Sequence, residues 1–228
     1  MIAGVLLAAG ASRRMGRSKP LVKARGLSFV ANGLRNLWTA CDTVVVVLGS
    51  NAPAVRAAVE EEVGRLTATG AFRRELADAR KGRARGLEAR FRVNARWRDG
   101  MLSSVRVGLR TALATDPELL LVLPVDQPGL RPATVHALAS AMRQALGAYG
   151  GKGEDAAFAY ALVPRHRRRR GHPLALSPAL ARAVAADAGA RDLSDAVRRN
   201  ARLIGYLDSA DAGILENRNT PRSKGATR

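Results

Sequence analysis

The N-terminal stretch 5–20 constrains this chain more than any other segment. Its apolar run V-L-L-A-A predicts a buried strand that ends in a turn of small residues, and basic residues follow in the same loop. A strand leading into such a loop presents backbone N–H groups to a ligand, and Gly10 and Gly16 let the chain turn sharply and approach it. Arg14 and Lys19 add charges that pair well with phosphate oxygens. The stretch therefore predicts a cradle for a triphosphate.

Two general phosphate-binding motifs do not describe this loop. The P-loop needs G-x-x-x-x-G-K-[ST], but Gly10 and Gly16 are one residue too far apart, and Arg17 stands where the lysine belongs. The dinucleotide fingerprint G-x-G-x-x-G also fails, because Ala11 and Ser12 follow Gly10. The alternative is an ordinary tight turn between a strand and a helix, with its cations on the surface.

The longer pattern L-A-A-G-x-S-x-R-M-G-x-x-K, at 7–19, resembles the signature loop of nucleotidyltransferases with a Rossmann-like fold. The resemblance is strongest to the molybdenum cofactor cytidylyltransferase and guanylyltransferase group. It implies transfer of a nucleotide from an NTP to a phosphorylated acceptor, with Mg²⁺ as cofactor and pyrophosphate neutralised by Arg14 and Lys19 as it leaves. It also implies nucleotide binding by Leu7, Ala8, Ala9, Gly10, Ser12 and Gly16.

Composition bounds the class of protein without identifying it. At 228 residues one domain is the default. A net charge of +19 attracts polyanions and anionic ligands, but an excess of arginine on solvated helix faces would give the same charge. The cations are scattered and no aromatic residues interleave with the arginine clusters in the sequence. This favours the compositional explanation and makes nucleic acid the less favoured partner.

Cys41 is the only cysteine, which excludes an intramolecular disulfide and a cysteine-based zinc site. We expect it to be a small core residue on a helix over 28–41. The N-terminus lacks the basic region and the length of a signal peptide, and no apolar run is long enough to span a bilayer. These features predict a cytoplasmic protein with no membrane partner.

Strands and helices alternate along the chain. We predict strands over 2–8, 43–48, 119–123, 156–163 and 203–207, and helices over 28–41, 54–66, 132–146, 178–186 and 193–200. The run of valines at 44–47 does not alternate with polar residues, which is typical of parallel strands covered on both faces. The order predicts an α/β fold, a three-layer Rossmann-like sheet of mostly parallel strands with helices on both faces.

One domain is expected over 1–220, followed by a basic tail over 221–228 that we predict to be disordered. Within the domain, the arginine-rich segment 67–92 looks like an insertion beside the resembling family, and either a helical excursion or a loop fits it. A glycine-rich loop is predicted over 147–155.

Asp126 follows the predicted strand 119–123, in the sequence P-V-D-Q-P. Ligands bind beyond the carboxyl ends of the strands in open α/β sheets, and a carboxylate beside a triphosphate can hold Mg²⁺. The resembling family has G-D-Q-P here and its Asp binds the metal, whereas this chain carries Val125 in place of the glycine. The alternative for Asp126 is a turn position before Pro128 and Gly129.

Asn217, in the sequence E-N-R-N-T-P, is the second candidate metal ligand. The sequence resembles the N-x-N-T-P that ends the guanylyltransferase branch, whereas the cytidylyltransferase branch more often carries D-x-D-T-P. An amide oxygen can ligate Mg²⁺ but brings no charge. Asn217 would therefore bind the ion more weakly than an aspartate, with Glu216 as a further candidate. A polar turn before the tail is the alternative.

The segment 93–109 resembles the family's N-x-x-W-x-x-G-M-x-S-S-x-x-x-G-L, which lies beside the nucleotide. Asn94, Ser103 and Ser104 are the candidate contacts, because hydroxyls and free N–H groups at a helix start suit a phosphate or a base edge. A capped helix with Trp97 in the core explains the same residues equally well.

Two further residues are candidates for holding the acceptor. His172, in a family-like G-H-P, would orient the acceptor phosphate or move a proton; a histidine packed beside a turn is the alternative. Arg191, in D-A-G-A-R, resembles the family's G-D-x-G-A-R and would make a bidentate contact; a joint between two helices is the alternative. The arginines at 165 and 167–170 lie outside the family pattern and either grip an anionic acceptor or form a solvated loop.

These residues together predict CTP- or GTP-dependent nucleotidyl transfer, with molybdopterin as the expected acceptor. The motifs L-A-A-G, D-Q-P and G-H-P favour CTP, which we choose, while N-x-N-T-P favours GTP. The alternatives are guanylyl transfer to the same cofactor, nucleotidyl transfer of the sugar-phosphate type, and a basic nucleic-acid-binding or NTP-binding protein without turnover.

Overall fold

The fold is organised around the N-terminal strand β1 (Ile2–Ala8), every residue of which is buried. The computed structural model describes residues 1–12, 18–24, 26–80, 88–150 and 158–217. The other strands are β2 (Lys23–Ala24), β3 (Leu27–Ser28), β4 (Thr43–Leu48), β5 (Glu88–Val93), β6 (Leu119–Pro124), β7 (Tyr160–His166), β8 (Arg169–Arg170), β9 (Leu174–Leu176) and β10 (Leu203–Asp208). The helices are α1 (Phe29–Trp38), α2 (Ala52–Ala68), α3 (Gly70–Arg80), α4 (Met101–Leu113), α5 (Pro132–Gly150), α6 (Pro178–Ala186) and α7 (Leu193–Asn200).

The main sheet has the order β10-β7-β9-β6-β1-β4-β5, with β8 paired to the end of β7. Its long strands run parallel, and β9 is antiparallel to both of its neighbours. Because β6 and β7 are each antiparallel to β9, they are parallel to one another. The carboxyl ends of β1, β6 and β7 therefore lie at the same edge of the sheet, where open α/β sheets bind ligands.

Helices cover both faces of the sheet, as predicted. Leu6 and Ala8 of β1 belong to one apolar cluster with α1, α2, α3 and α5. Val5 and Leu7, which point to the opposite face, belong to a second cluster with α4, α6 and α7. The predicted three-layer α/β architecture is therefore confirmed.

Capping residues explain where three of the helices begin. Ser28, Ser177 and Asp192 precede α1, α6 and α7, and each accepts a hydrogen bond from the backbone N–H three residues later. Such contacts satisfy N–H groups that the first turn leaves without partners. The bounds of α6 and α7 coincide with the predicted ones. Helix α1 is shorter than predicted and ends at Trp38, but Cys41 is fully buried beyond it.

Two predicted elements are misplaced. The glycine-rich loop over 147–155 is wrong at 147–150, which belong to α5; residues 151–155 lie outside the described chain. The strand predicted over 156–163 is β7, which begins at Tyr160 and continues to His166.

The segment 67–92 contributes to the core as well as to the surface. Phe72 and Leu76 of α3 are buried in the cluster that covers one face of the sheet, and the ring of Phe72 lies 6.3 Å from that of Trp38. Strand β5 then extends the sheet beyond β4. Residues 81–87 lie outside the described chain, as does the predicted tail over 221–228.

Within the described ranges, no helix combines the length and apolar character needed to cross a membrane. The cytoplasmic location stays a prediction.

We expect Gly108→Ala in α4 to lower the free energy of unfolding by about 1–3 kcal/mol, because overpacking a tight core is destabilising. A Cβ there would collide with Cγ1 of Val5 and lie 3.0 Å from Cγ2 of Val47. Gly64→Ala in α2 is the matched control: its Cβ would meet nothing within 4 Å, and helix propensity predicts a gain of about 0.5–1 kcal/mol. Urea denaturation measures both, and a stabilised Gly108→Ala would show that α4 does not pack this closely.

Candidate active site

A pocket of about 490 Å³ lies beyond the carboxyl ends of β1 and β6. Its walls come from the turn after β1, the short 3₁₀ helix Lys19–Leu21, the start of α4 and the residues after β6. The lining includes seven residues that the sequence singled out: Leu7, Ala9, Gly10, Ser12, Lys19, Ser104 and Asp126.

An ion pair joins the two halves of this pocket. Nζ of Lys19 lies 3.0 Å from Oδ2 of Asp126, and the two side chains are only 15% and 13% exposed. The residues are 107 positions apart in the chain. They meet because β1 and β6 are adjacent and parallel and the loops after both strands leave the same edge of the sheet. Phosphate-binding and metal-binding candidates therefore share one site.

The loop after β1 is closed by a hydrogen bond between its two ends. The backbone N–H of Lys19 donates to Oγ of Ser12 at 2.6 Å, and Ser12 takes a left-handed conformation with φ of 55°. This bond holds Lys19 beside the end of β1. Arg14 and Gly16 lie outside the described residues, so their predicted roles remain expectations.

Residues at the end of β1 alternate between the pocket face and the opposite face of the sheet. Leu7 and Ala9 line the pocket, whereas the side chain of Ala8 belongs to the apolar cluster on the opposite face. Gly10 is exposed, and a Cβ at this position would meet nothing within 4 Å. Its missing side chain therefore leaves pocket space open beside the backbone, and is not required by packing.

Asn94 supports the wall of the pocket. Its amide nitrogen donates to Oγ of Ser103 at 2.8 Å and to Oγ of Ser104 at 2.9 Å, and its amide oxygen accepts from the N–H of Arg96. Of these residues only Ser104 lines the pocket. The buried Asn94 and its partner Ser103 thus fasten the start of α4, while Ser104 is the candidate contact.

Residues that the sequence did not assign to the site form its apolar wall. Trp97, expected in the core under the alternative interpretation, lines the pocket together with Met101, whose exposed fraction is 50%. The guanidinium of Arg98 lies 4.4 Å from the centre of the Trp97 ring. Gly49 makes room for this wall, because a Cβ there would lie 2.7 Å from Cβ of Trp97.

His172 is held close to Asp126 without lining the pocket. Its backbone N–H donates to the carbonyl of Ile214 at 3.1 Å, and its buried Nδ1 has no hydrogen-bond partner among the described residues. Burial lowers the pKa of the imidazole below its ordinary value, although the negative charge of Asp126 acts in the opposite direction. The ring is therefore neutral at pH 7 and offers one donor and one acceptor.

The C-terminal segment reaches the loop that follows Asp126. A Cβ on Gly129 would collide with the carboxylate of Glu216, so this side chain lies directly over the loop. Asn217 comes next and is exposed, and it is not among the residues lining the pocket. The segment that carries Asn217 thus lies over the loop after Asp126, but the side chain of Asn217 does not form part of the pocket wall.

Arg191 is engaged elsewhere. It lies just before α7, and its guanidinium is 80% exposed with Nε 3.5 Å from Oδ2 of Asp195. The backbone N–H of Arg191 also donates to Asp195, which lowers the pKa of that carboxyl. Arg191 does not line the pocket, and its contact with the acceptor stays a prediction.

The oxygen donors at this edge suit Mg²⁺ that arrives with a nucleotide. Mg²⁺ usually takes one or two carboxylates together with substrate phosphates. Asp126 supplies a carboxylate, and Oε1 of the neighbouring Gln127 is buried without a partner among the described residues. In that part of the chain, no cluster of three His, Cys, Asp or Glu side chains could hold a metal by itself. The site therefore fits an ion shared with phosphates.

The sheet order and the helices on both faces define an α/β protein with the Rossmann-like nucleotidyltransferase fold. The chain belongs to the MobA-like NTP transferase domain family, whose profile matches residues 4–203. It is also 34% identical over 225 residues to nicotine blue oxidoreductase of Paenarthrobacter nicotinovorans, covering 96% of this chain and 92% of that protein.

Solved structures share the fold. Rv0371c from Mycobacterium tuberculosis H37Rv superimposes with a TM-score of 0.63 at 22% identity, over 91% of this chain and 87% of that one. Its complex with manganese gives a TM-score of 0.59 over the same shares. Molybdopterin-guanine dinucleotide biosynthesis protein A from Archaeoglobus fulgidus gives 0.56 at 17% identity, over 96% and 93%. At these identities the likeness concerns the fold alone.

Asn94→Ala should lower the free energy of unfolding by about 2–4 kcal/mol, since it removes three hydrogen bonds worth about 0.5–1.5 kcal/mol each. Ser103→Ala is the comparison variant. Its hydroxyl accepts from Asn94 and also contacts the carbonyls of Arg96 and Gly100, but these last two contacts are exposed to solvent, so its loss should cost less. Urea denaturation measures the difference. An Asn94→Ala variant as stable as the parent would mean that Asn94 does not fasten α4.

Proposed function

We propose that the protein transfers a nucleotidyl group from an NTP to a phosphorylated acceptor, releasing pyrophosphate, with Mg²⁺ as cofactor. The ion pair between Lys19 and Asp126, 3.0 Å apart in the pocket beyond β1 and β6, carries the proposal. Lys19 is the cation that we expect to contact the leaving pyrophosphate, and Asp126 is the carboxylate that we expect to bind the metal. The ion pair places the two side by side. Membership of the NTP transferase family supports the reaction class.

The reaction requires little covalent chemistry from the protein. A phosphate oxygen of the acceptor attacks the α-phosphorus, the bond from that phosphorus to the bridging oxygen breaks, and pyrophosphate leaves. An acceptor phosphate is already a nucleophile, so no general base is needed. Positioning and charge neutralisation therefore dominate. Lys19, and Arg14 by resemblance, would neutralise the departing pyrophosphate.

Lys19 and Asp126 neutralise each other, and both side chains are largely withdrawn from water. A triphosphate offers the ammonium group more negative charge than one carboxylate does. If Lys19 turns to the phosphates, the Asp126 carboxylate becomes available to Mg²⁺, with Asn217 as the proposed second ligand. When bound, the ion would offset negative charge at the α-phosphate.

We propose CTP as the nucleotide and molybdopterin as the acceptor, held by His172 and Arg191. The family resemblance supports these two roles. Nδ1 of His172 has no hydrogen-bond partner among the described residues, but it is buried outside the pocket lining, so this contact requires the ring to become accessible. Pyrophosphate release, measured with molybdopterin and each of the four NTPs, tests the choice of base. Release with GTP alone would assign the protein to guanylyl transfer, and release with none would leave an NTP-binding protein without turnover.

We expect Lys19→Ala and Asp126→Asn each to lower the rate of pyrophosphate release from CTP by about a hundredfold or more, as loss of a preorganised charge does. Lys23→Ala and Asp116→Asn are matched controls, because both side chains are exposed and lie outside the pocket. The control variants should keep the parent rate. Near-parent rates in the two pocket variants would refute the proposed roles.

Electron transfer to or from a planar aromatic compound is the second candidate. Identity of 34% to nicotine blue oxidoreductase favours it, as do Trp97 and Met101 in the pocket wall. Incubation with nicotine blue and a reduced nicotinamide dinucleotide, followed by absorbance, tests it directly. Bleaching of the dye without any NTP would favour this function. Unchanged absorbance together with pyrophosphate release from an NTP would exclude it.

A further inference from the structure

A hairpin rich in arginine rises from the same sheet edge as the pocket. We call residues 165–170 the arginine hairpin: they comprise the end of β7, a two-residue turn and β8, with Arg165 paired to Arg170. Strand β7 is parallel to β6 and lies two strands away, with β9 between them. Neighbouring strands are about 4.8 Å apart, so the base of the hairpin lies about 10 Å from the end of β6.

Three arginines at the tip of this hairpin face solvent. Arg167, Arg168 and Arg169 are exposed, and the described part of the chain gives none of them a carboxylate partner. Arg167 and Arg168 both take left-handed conformations, with φ of 47° and 64°. Two-residue turns of this kind favour Asn-Gly, so turn geometry does not account for two arginines at these positions.

The base of the hairpin is firmly held. Nε and Nη2 of Arg165 donate to the two carboxylate oxygens of Asp208 at 2.7 and 2.8 Å. The guanidinium groups of Arg165 and Arg170 lie 5.2 and 5.3 Å from the centre of the Tyr206 ring. The backbone that carries the tip arginines is therefore anchored, and less backbone entropy is lost when they bind a ligand.

Only Gly171 separates the arginine hairpin from His172. The N–H of Gly171 donates to the carbonyl of Pro164, and that of His172 to the carbonyl of Ile214. His172 thus follows the hairpin directly, and it also lies close enough to Asp126 for that carboxylate to act on the pKa of its imidazole. A ligand that fills the pocket beside Asp126 and extends along this sheet edge toward β7 would meet the hairpin.

We propose that the arginine hairpin is a second oxyanion site, which binds an anionic group of the acceptor remote from the phosphate that reacts. The inference rests on the proposed function for the identity of the ligand, but not for the existence of the site. The base of the hairpin lies about 10 Å from the end of β6, so we place the group that it binds apart from the reacting phosphate beside Asp126. The acceptor would therefore carry at least two anionic groups.

The geometry favours a small ligand over a nucleic acid. Single-stranded nucleic acids need a groove of cations with aromatic rings free for stacking. Tyr206, the aromatic residue at this hairpin, already has two guanidinium groups against it. The solvent-facing cations occupy one turn, which matches a single oxyanion better than an extended backbone.

Binding of inorganic tripolyphosphate, measured by calorimetry in EDTA, tests the site. The variants are made in a Lys19→Ala background, which weakens binding in the pocket. We expect Arg168→Gln with Arg169→Gln to weaken tripolyphosphate binding about tenfold or more. Arg74→Gln with Arg182→Gln removes the same two charges from exposed helix positions and should change the affinity less than twofold.

Equal weakening by both pairs would show that net charge alone attracts the anion, and unchanged binding would show that the hairpin takes no part; either result overturns the site. A 20-nucleotide single strand that binds the parent more tightly than tripolyphosphate, and loses this affinity in the hairpin pair, would replace the small acceptor with nucleic acid.

A turnover assay with Lys19 intact is the second test. The hairpin pair should raise KM for the acceptor about tenfold relative to the control pair, and an increase in KM for CTP instead would contradict the assignment. If no NTP is turned over while the calorimetric difference remains, the proposed function fails and the site stands.

Discussion

The ion pair between Lys19 and Asp126 is the contact on which the account of the site depends. It connects two loops from distant parts of the chain, and it does so at the edge of the sheet where β1 and β6 end together. Withdrawing two charges from water is costly and adds little net stability. We interpret the pair as a means of keeping both charges in the pocket, where a polyphosphate and a divalent ion would meet them.

The middle of the sheet could be predicted because β1, β4 and β6 are apolar throughout. Strands β1 and β4 are buried on both faces, so their runs do not alternate. The sequence does not predict β5, because its run E-A-R-F-R-V is charged and the strand lies at the sheet edge. Strand β9 has only three residues, too few to show any period. Glycines such as Gly147 and Gly150 usually mark a loop, so the sequence does not predict the last turn of α5.

The site was predictable in part, because a motif shows which residues lie near a ligand but not which of them touch it. Lys19, Asp126 and Ser104 line the pocket, whereas the side chain of Asn94 donates its hydrogen bonds to serines at the start of α4. The sequence does not assign the apolar wall to the site, although Trp97 belongs to the same motif. The position of Trp97 depends on its close packing against Gly49, a tertiary contact that spacing in the sequence does not express.

The central claim is that one pocket grips a polyphosphate around a divalent ion, and ligand-dependent melting tests it most directly. A ligand that binds only the native state raises the melting temperature according to its affinity. We predict that CTP raises it in Mg²⁺ and much less in EDTA, with smaller effects from the other three NTPs. A melting temperature that no NTP changes, or that rises equally in EDTA, would contradict the claim.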